Sequence, residues 1–97
     1  MPTYGAFPLA WREFLKLTPE MQEAWHRAIR AFTEDLRRGR PIRPGLRVKR
    51  VQAHPGVFEL TFAPNGRATF EYGRTVRAGH IHIVWRRIGT HDIFRNP

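Results

Sequence analysis

Met21, Ala24, Trp25, Ala28, Ile29, Phe32 and Leu36 recur at helical spacing, which gathers them on one stripe of an α-helix. Arg27, Arg30, Glu34 and Arg37 fall around the rest of it. Thr18 before Pro19 is a helix start, a hydroxyl cap followed by a residue whose fixed φ suits the first turn. Gly39 is the matching stop. A helix with one dry face must bury it, so the remaining chain has to supply an apolar surface of similar size.

The second half supplies one with a different period. Phe58, Leu60 and Phe62 alternate with Glu59 and Thr61, the signature of a strand with one face covered. Pro64-Asn65-Gly66 is a hairpin turn, after which Ala68, Phe70 and Tyr72 return on one face. Residues 47–53 read as a strand before this pair, with Val48 and Val51 apolar. Beyond a loop over residues 73–79, Ile81, Ile83 and Trp85 line one face of a last strand, and His80, His82, Val84 and Arg86 the other. Upstream of the long helix, Trp11, Phe14 and Leu15 indicate a short helix over residues 9–17, and residues 1–8, with two prolines and a glycine, a loosely ordered lead-in.

The expected fold is therefore α+β. Two N-terminal helices pack on one face of a mainly antiparallel four-stranded sheet, in a single domain spanning residues 1–97. The other sheet face is left open. Its residues would be Glu59, Thr61, Arg67, His80, His82 and Arg86.

The charge says what that face meets. A formal net charge of +9 on 97 residues points to a polyanionic partner, most often nucleic acid. All 17 basic residues except Lys16 and Lys49 are arginine, the side chain suited to bidentate phosphate contacts and base stacking. Residues 37–50 hold Arg37, Arg38, Arg40, Arg43, Arg47, Lys49 and Arg50 with no acid among them. Pro41, Pro44 and Gly45 keep this run from being helical, so it forms a basic loop entering a strand. Arg43, Arg47, Lys49 and Arg50 are candidate RNA contacts, joined by His80 and His82 from the open face. No apolar run is long enough to span a membrane and no secretory signal opens the chain, so the expected setting is cytoplasmic. The absence of cysteine excludes disulfides and thiolate zinc sites.

The closing string Ile88-Gly89-Thr90-His91-Asp92-Ile93-Phe94, with a glycine free to take unusual backbone angles, follows the last strand. Together with the helical first half, the basic approach, Gly56-Val57-Phe58-Glu59-Leu60 and the Gly66-Arg67 strand start, it resembles the RelE/ParE superfamily of bacterial toxins over roughly residues 9–95. The tail looks most like the ribosome-dependent mRNA endonucleases of the RelE and YafQ type, whose last strand ends in a histidine or arginine followed by an aromatic. Where the RelE type carries a lysine pair on the middle strand, this chain has Glu59 and Thr61.

The resemblance implies metal-independent RNA cleavage, with His91 as general acid or base. That chemistry needs a base for the 2′-hydroxyl, cations for the charge developing on phosphorus, and an acid for the leaving 5′-oxygen. Arg67 and Arg86 are the expected phosphate ligands, Phe94 a base-stacking platform, and Glu59 the second proton-transfer group. Arg87, adjacent to Arg86, is expected to face the other side. Each has a plainer reading: His91 a surface cap, Phe94 a core lid, Glu59 an ion-pair partner of Arg67. His80 and His82 share a face as metal ligands would, yet no carboxylate stands at a matching spacing, so no metal and no small-molecule cofactor are expected. The implied partners are mRNA and the ribosome, and a cognate antitoxin whose acidic segment meets residues 37–50. The alternatives are a non-catalytic ParE-type gyrase inhibitor and a plain RNA- or ribosome-binding module.

Overall fold

The computed structural model describes residues 2–97. In chain order its elements are β1 (Thr3–Ala6), α1 (Pro8–Leu15), α2 (Pro19–Arg37), a 3-10 turn (Pro44–Leu46), β2 (Lys49–Arg50), β3 (Phe58–Ala63), β4 (Gly66–Tyr72), β5 (His82–Gly89) and a closing 3-10 turn (His91–Arg95). The five strands form one sheet in the order β1-β5-β4-β3-β2. Only the β1–β5 pairing is parallel.

The long helix starts and stops as its sequence dictates. Thr18 accepts a hydrogen bond from the Met21 amide at 3.2 Å, and Pro19 opens the first turn. Gly39, at φ +65°, bonds back to the Leu36 carbonyl. A left-handed C-terminal residue is cheap for glycine and costly for anything with a Cβ. The stripe delivers Trp25, Ala28 and Phe32 onto Leu60, Phe62, Ala68, Phe70, Ile83, Trp85 and Ile88. Aromatic edges dominate this core: Trp25 meets Trp85 at 4.6 Å between centroids, and Phe32 meets Phe70 at 5.4 Å. Phe32 is wholly buried, so truncating it to alanine removes about 3–5 kcal/mol.

Three expectations are corrected. The lead-in is a fifth strand, apart from Met1, which lies outside the described residues. Four residues with a central glycine carry too little periodicity to show in sequence, but contacts with β5 order them. The Thr3 amide donates to the Ile81 carbonyl and the Phe7 amide to that of Trp85, both at 2.8 Å, while Tyr4 stacks on Trp85. The strand expected over residues 47–53 shrinks to Lys49–Arg50, because Arg47 at φ 49° and Ala53 at φ 65° turn the chain left-handed on either side. The last strand begins at His82, leaving Ile81 exposed before it.

Gly89 is needed for space rather than for backbone freedom. It is not among the residues with positive φ, and a Cβ built on it would lie 3.0 Å from the Ile93 side chain. A bare backbone here lets the closing turn fold onto the sheet, burying Ile93. The face opposite the helices is thereby partly covered, which shapes the site.

Candidate active site on the open sheet face

The residues alternating with the core positions of β3 and β4 project to this face. Paired across strands, they form one row: Lys49 on β2 is opposite Glu59 on β3, Glu59 opposite Thr69 on β4, and Thr69 opposite Arg87 on β5. Cross-strand partners have Cβ atoms about 5 Å apart, close enough for polar side chains to interact. At its β2 end the row opens into a cleft of about 460 Å³ lined by Lys49, Arg50, Val51, Gln52, Glu59 and Phe94.

The closing turn carries Phe94 to this cleft and sets His91 against it. Thr90 accepts from the Asp92 amide at 3.4 Å and starts the turn. The turn sets the exposed His91 ring edge-on to Phe94, 5.0 Å between centroids. Phe94 forms the cleft wall and holds the imidazole beside it. On the opposite wall the Lys49 ammonium lies 3.8 Å from the Glu59 carboxylate, a loose pair on a side chain that is 65% exposed. Arg50 lies over the Phe58 ring, 5.9 Å from its centroid. Glu59 is thus paired with Lys49, and no ion pair joins it to Arg67 among the described residues.

Arg67 and Arg86 are placed otherwise than the sequence suggested. Arg67 Nη1 donates to the carbonyls of Ala63, Pro64 and Gly66, closing its own hairpin. Arg86 is pinned to Glu71 on β4, donates to the Pro97 carbonyl at 3.1 Å and covers the Phe7 ring. Arg87 does not point away from Arg86. The β4–β5 register passes from Thr69 opposite Arg87 to Phe70 opposite Trp85, leaving Arg86 as the extra residue of a β-bulge. Both arginines therefore reach the tail, and Arg87 donates to the Asn96 carbonyl at 2.8 Å. Arg87 also grips both Glu13 carboxylate oxygens, at 2.9 and 3.0 Å. That hydrogen bonding raises its pKa above the ordinary guanidinium value. Glu13 in turn accepts the Ile88 amide, capping the β5 edge that β1 leaves unpaired.

The basic run is neutralised from outside itself. Asp35, only 1% exposed, binds Arg43 through Nε, Nη2 and the backbone amide, and Arg40 through Nε. The hydrogen bonds from Arg43 hold its carboxyl well below the usual carboxylate range. Glu34 takes Arg38 and the second side of Arg40. Arg43 is thus a structural cation rather than a free phosphate contact. Arg37, Arg47 and Arg50 have no ion-pair partner among the described residues; Arg47 precedes β2 and Arg50 is part of it. Asp35 was findable in sequence, since it lies three residues after Phe32 on the buried side. The bulge at Arg86 carried no such signal.

His80 and His82 do not join the site. His82 Nδ1 lies 2.7 Å from the Thr3 hydroxyl, and His80 sits in the loop before the strand. Seven residues of extended chain, roughly 23 Å, separate His82 from the other end of β5, where His91 follows. No ion could bind His82 and His91 together.

This architecture, two helices on a five-stranded sheet closed by a short tail, is that of RelE-like toxins of toxin–antitoxin systems. Solved structures that share it include the RelBE2 toxin–antitoxin complex of Mycobacterium tuberculosis (21% identity, 94% of this chain and 100% of that chain, TM-score 0.61). The DinJ–YafQ complex of Escherichia coli is 13% identical over 95% and 96% of the chains, at TM-score 0.65. A YoeB/ParE toxin of Agrobacterium tumefaciens is 11% identical over 92% and 98%, at TM-score 0.67. No family model matches the sequence, and no curated protein matches it. The kinship lies in the fold.

Proposed function

We propose that the protein is the toxin of a toxin–antitoxin module and cleaves mRNA on the ribosome without a metal ion. The meeting of Phe94 from the tail, with His91 against its ring, and Glu59, Lys49 and Arg50 from the sheet at one cleft carries this reading. In the reaction the 2′-oxygen attacks phosphorus and the bond to the 5′-oxygen breaks. Glu59 accepts the 2′-hydroxyl proton and His91 delivers one to the leaving 5′-oxygen, giving a 2′,3′-cyclic phosphate and a 5′-hydroxyl. Lys49 and Arg50 offset the charge on the phosphoryl oxygens, and Phe94 stacks on a base. His91, Glu59 and Phe94 thus keep the roles their sequence suggested. Lys49 and Arg50 take the place first given to Arg67 and Arg86.

The neighbours from M. tuberculosis and E. coli were crystallised as toxin–antitoxin complexes, which supports an antitoxin partner here. Trp11 and Leu15 on α1, each 56% exposed, offer an apolar seat for an amphipathic partner segment, and the unpaired arginines 37, 47 and 50 offer a separate basic surface for its acidic residues. No helix among the described residues is long and apolar enough to cross a membrane.

Inducing the protein in cells and mapping mRNA ends tests the proposal. New 5′ ends within translated codons are expected from the native chain. They should fall about 10²–10⁴-fold for His91→Ala, the usual worth of a proton-transfer group. Undiminished cleavage by that variant would remove His91 from the mechanism. A second reading, a non-catalytic inhibitor, is favoured by one observation: Arg67 and Arg86, the cations expected at phosphate, are both held by internal acceptors. It predicts translation or supercoiling arrest with intact mRNA.

A further inference from the structure

Thr69 is the residue in the cross-strand row that the fold does not explain. Its side chain is wholly buried, and its Oγ1 has no hydrogen-bond partner among the described residues. A buried hydroxyl left unsatisfied is a standing cost, and valine would fill the same volume without it. The row limits what the hydroxyl can serve. On one side Arg87 is taken by Glu13 and the Asn96 carbonyl, and it brings no acceptor. On the other side stands Glu59, whose carboxylate is held only by the loose contact to Lys49.

We infer that Thr69 is the positioning residue for Glu59. When a substrate phosphate draws the Lys49 ammonium to itself, the Glu59 carboxylate turns along the row and accepts a hydrogen bond from Thr69 Oγ1. The acid is then fixed on the sheet, aimed at the incoming 2′-hydroxyl. No bond is made or broken in this step. It rests on the proposed cleavage reaction and adds a device to it: the base is assembled by the phosphate it acts upon.

Steady-state cleavage of ribosome-bound mRNA by the native chain, Thr69→Val, Thr69→Ser, Glu59→Gln and the double variant tests it. Thr69→Val is expected to lower kcat by roughly 10- to 100-fold, the worth of a hydrogen bond to a charged group, with KM unchanged. Thr69→Ser should restore the rate, and Thr69→Val should add no further loss in the Glu59→Gln background. The melting temperature of Thr69→Val should match or exceed the native one, which separates positioning from folding. A native rate in Thr69→Val, or a full additional loss in the double variant, would overturn the inference. Inactivity of the native chain, or an unimpaired Glu59→Gln, would instead defeat the cleavage reading.

A readout free of turnover decides the matter in either event. With a saturating all-deoxy oligonucleotide, NMR should show a slowly exchanging Thr69 hydroxyl proton that is absent from the free protein and from Glu59→Gln. Its absence in the complex, or failure of the oligonucleotide to perturb Lys49, contradicts the inference.

Discussion

The sheet carries two sets of cations that look alike in sequence and differ in what holds them. On the β5 side Arg86 and Arg87 are surrounded by Glu71, Glu13 and the carbonyls of Asn96 and Pro97. On the β2 side Lys49 has one carboxylate at 3.8 Å, and Arg50 only an aromatic face. A guanidinium with its donors filled at 2.5–3.1 Å gains little from a phosphate, because binding must first break good hydrogen bonds. A loosely paired ammonium at a cleft mouth gives up almost nothing. The first set holds the tail in place; the second is free to work.

The largest effect that separates the two sides of the sheet is catalytic. Glu59→Gln should lower single-turnover cleavage about 10²–10⁴-fold with an unchanged melting temperature, whereas a β5-side change should act on the fold. Next comes Arg87→Ala. Its pair with Glu13 is three-quarters or more buried, so thermal unfolding should show a loss of about 2–4 kcal/mol, below the upper range for broken buried pairs. Lys49→Ala should stay within about 0.5 kcal/mol of native stability. Equal losses in both would erase the distinction. Gly89→Ala, which drives a Cβ to 3.0 Å from Ile93, should cost about 1–3 kcal/mol and loosen the tail, seen as faster amide exchange at Ile93.

Acid provides a fourth test. The folded-state pKa of Asp35 lies below its unfolded value, so its stabilisation is complete above the ordinary carboxylate range and is lost as the pH falls through about 4 toward the folded value. Asp35→Asn should flatten that acid limb of the melting curve. An unchanged limb would show that the Arg40 and Arg43 pairs do not govern it. The smallest effect is on binding: Arg47→Ala or Arg50→Ala should each reduce the slope of log affinity for RNA against log salt by about 0.7, and Arg43→Ala should leave it alone.

How much of this was legible in sequence follows from which interactions are local. The α2 stripe, its caps and the β3–β4 hairpin are written in neighbouring residues, and they fold where their periods place them. β1 was missed because its order comes from Trp85 and Ile81, some eighty positions away. The tail's histidine and aromatic were recognisable by type, and the turn brings the aromatic to a cleft with the histidine against its ring. The partners of the arginines were not, since one bulge at Arg86 resets the side on which Arg87 falls. Nothing in a run such as Val84-Trp85-Arg86-Arg87-Ile88 announces a bulge. Likewise a basic stretch read alone looks repulsive until Asp35, on the buried side of the helix before it, is seen to close it.

The most direct test sets one residue from each side of the sheet, the Glu59 partner of Lys49 and Arg86, side by side on purified protein and ribosome-bound mRNA. Single-turnover cleavage should fall at least about 10²-fold in Glu59→Gln and remain near native in Arg86→Gln once folding is matched by temperature. Native cleavage by Glu59→Gln, with the loss appearing in Arg86→Gln instead, would place the chemistry on the other side of the sheet and contradict the assignment of the cleft.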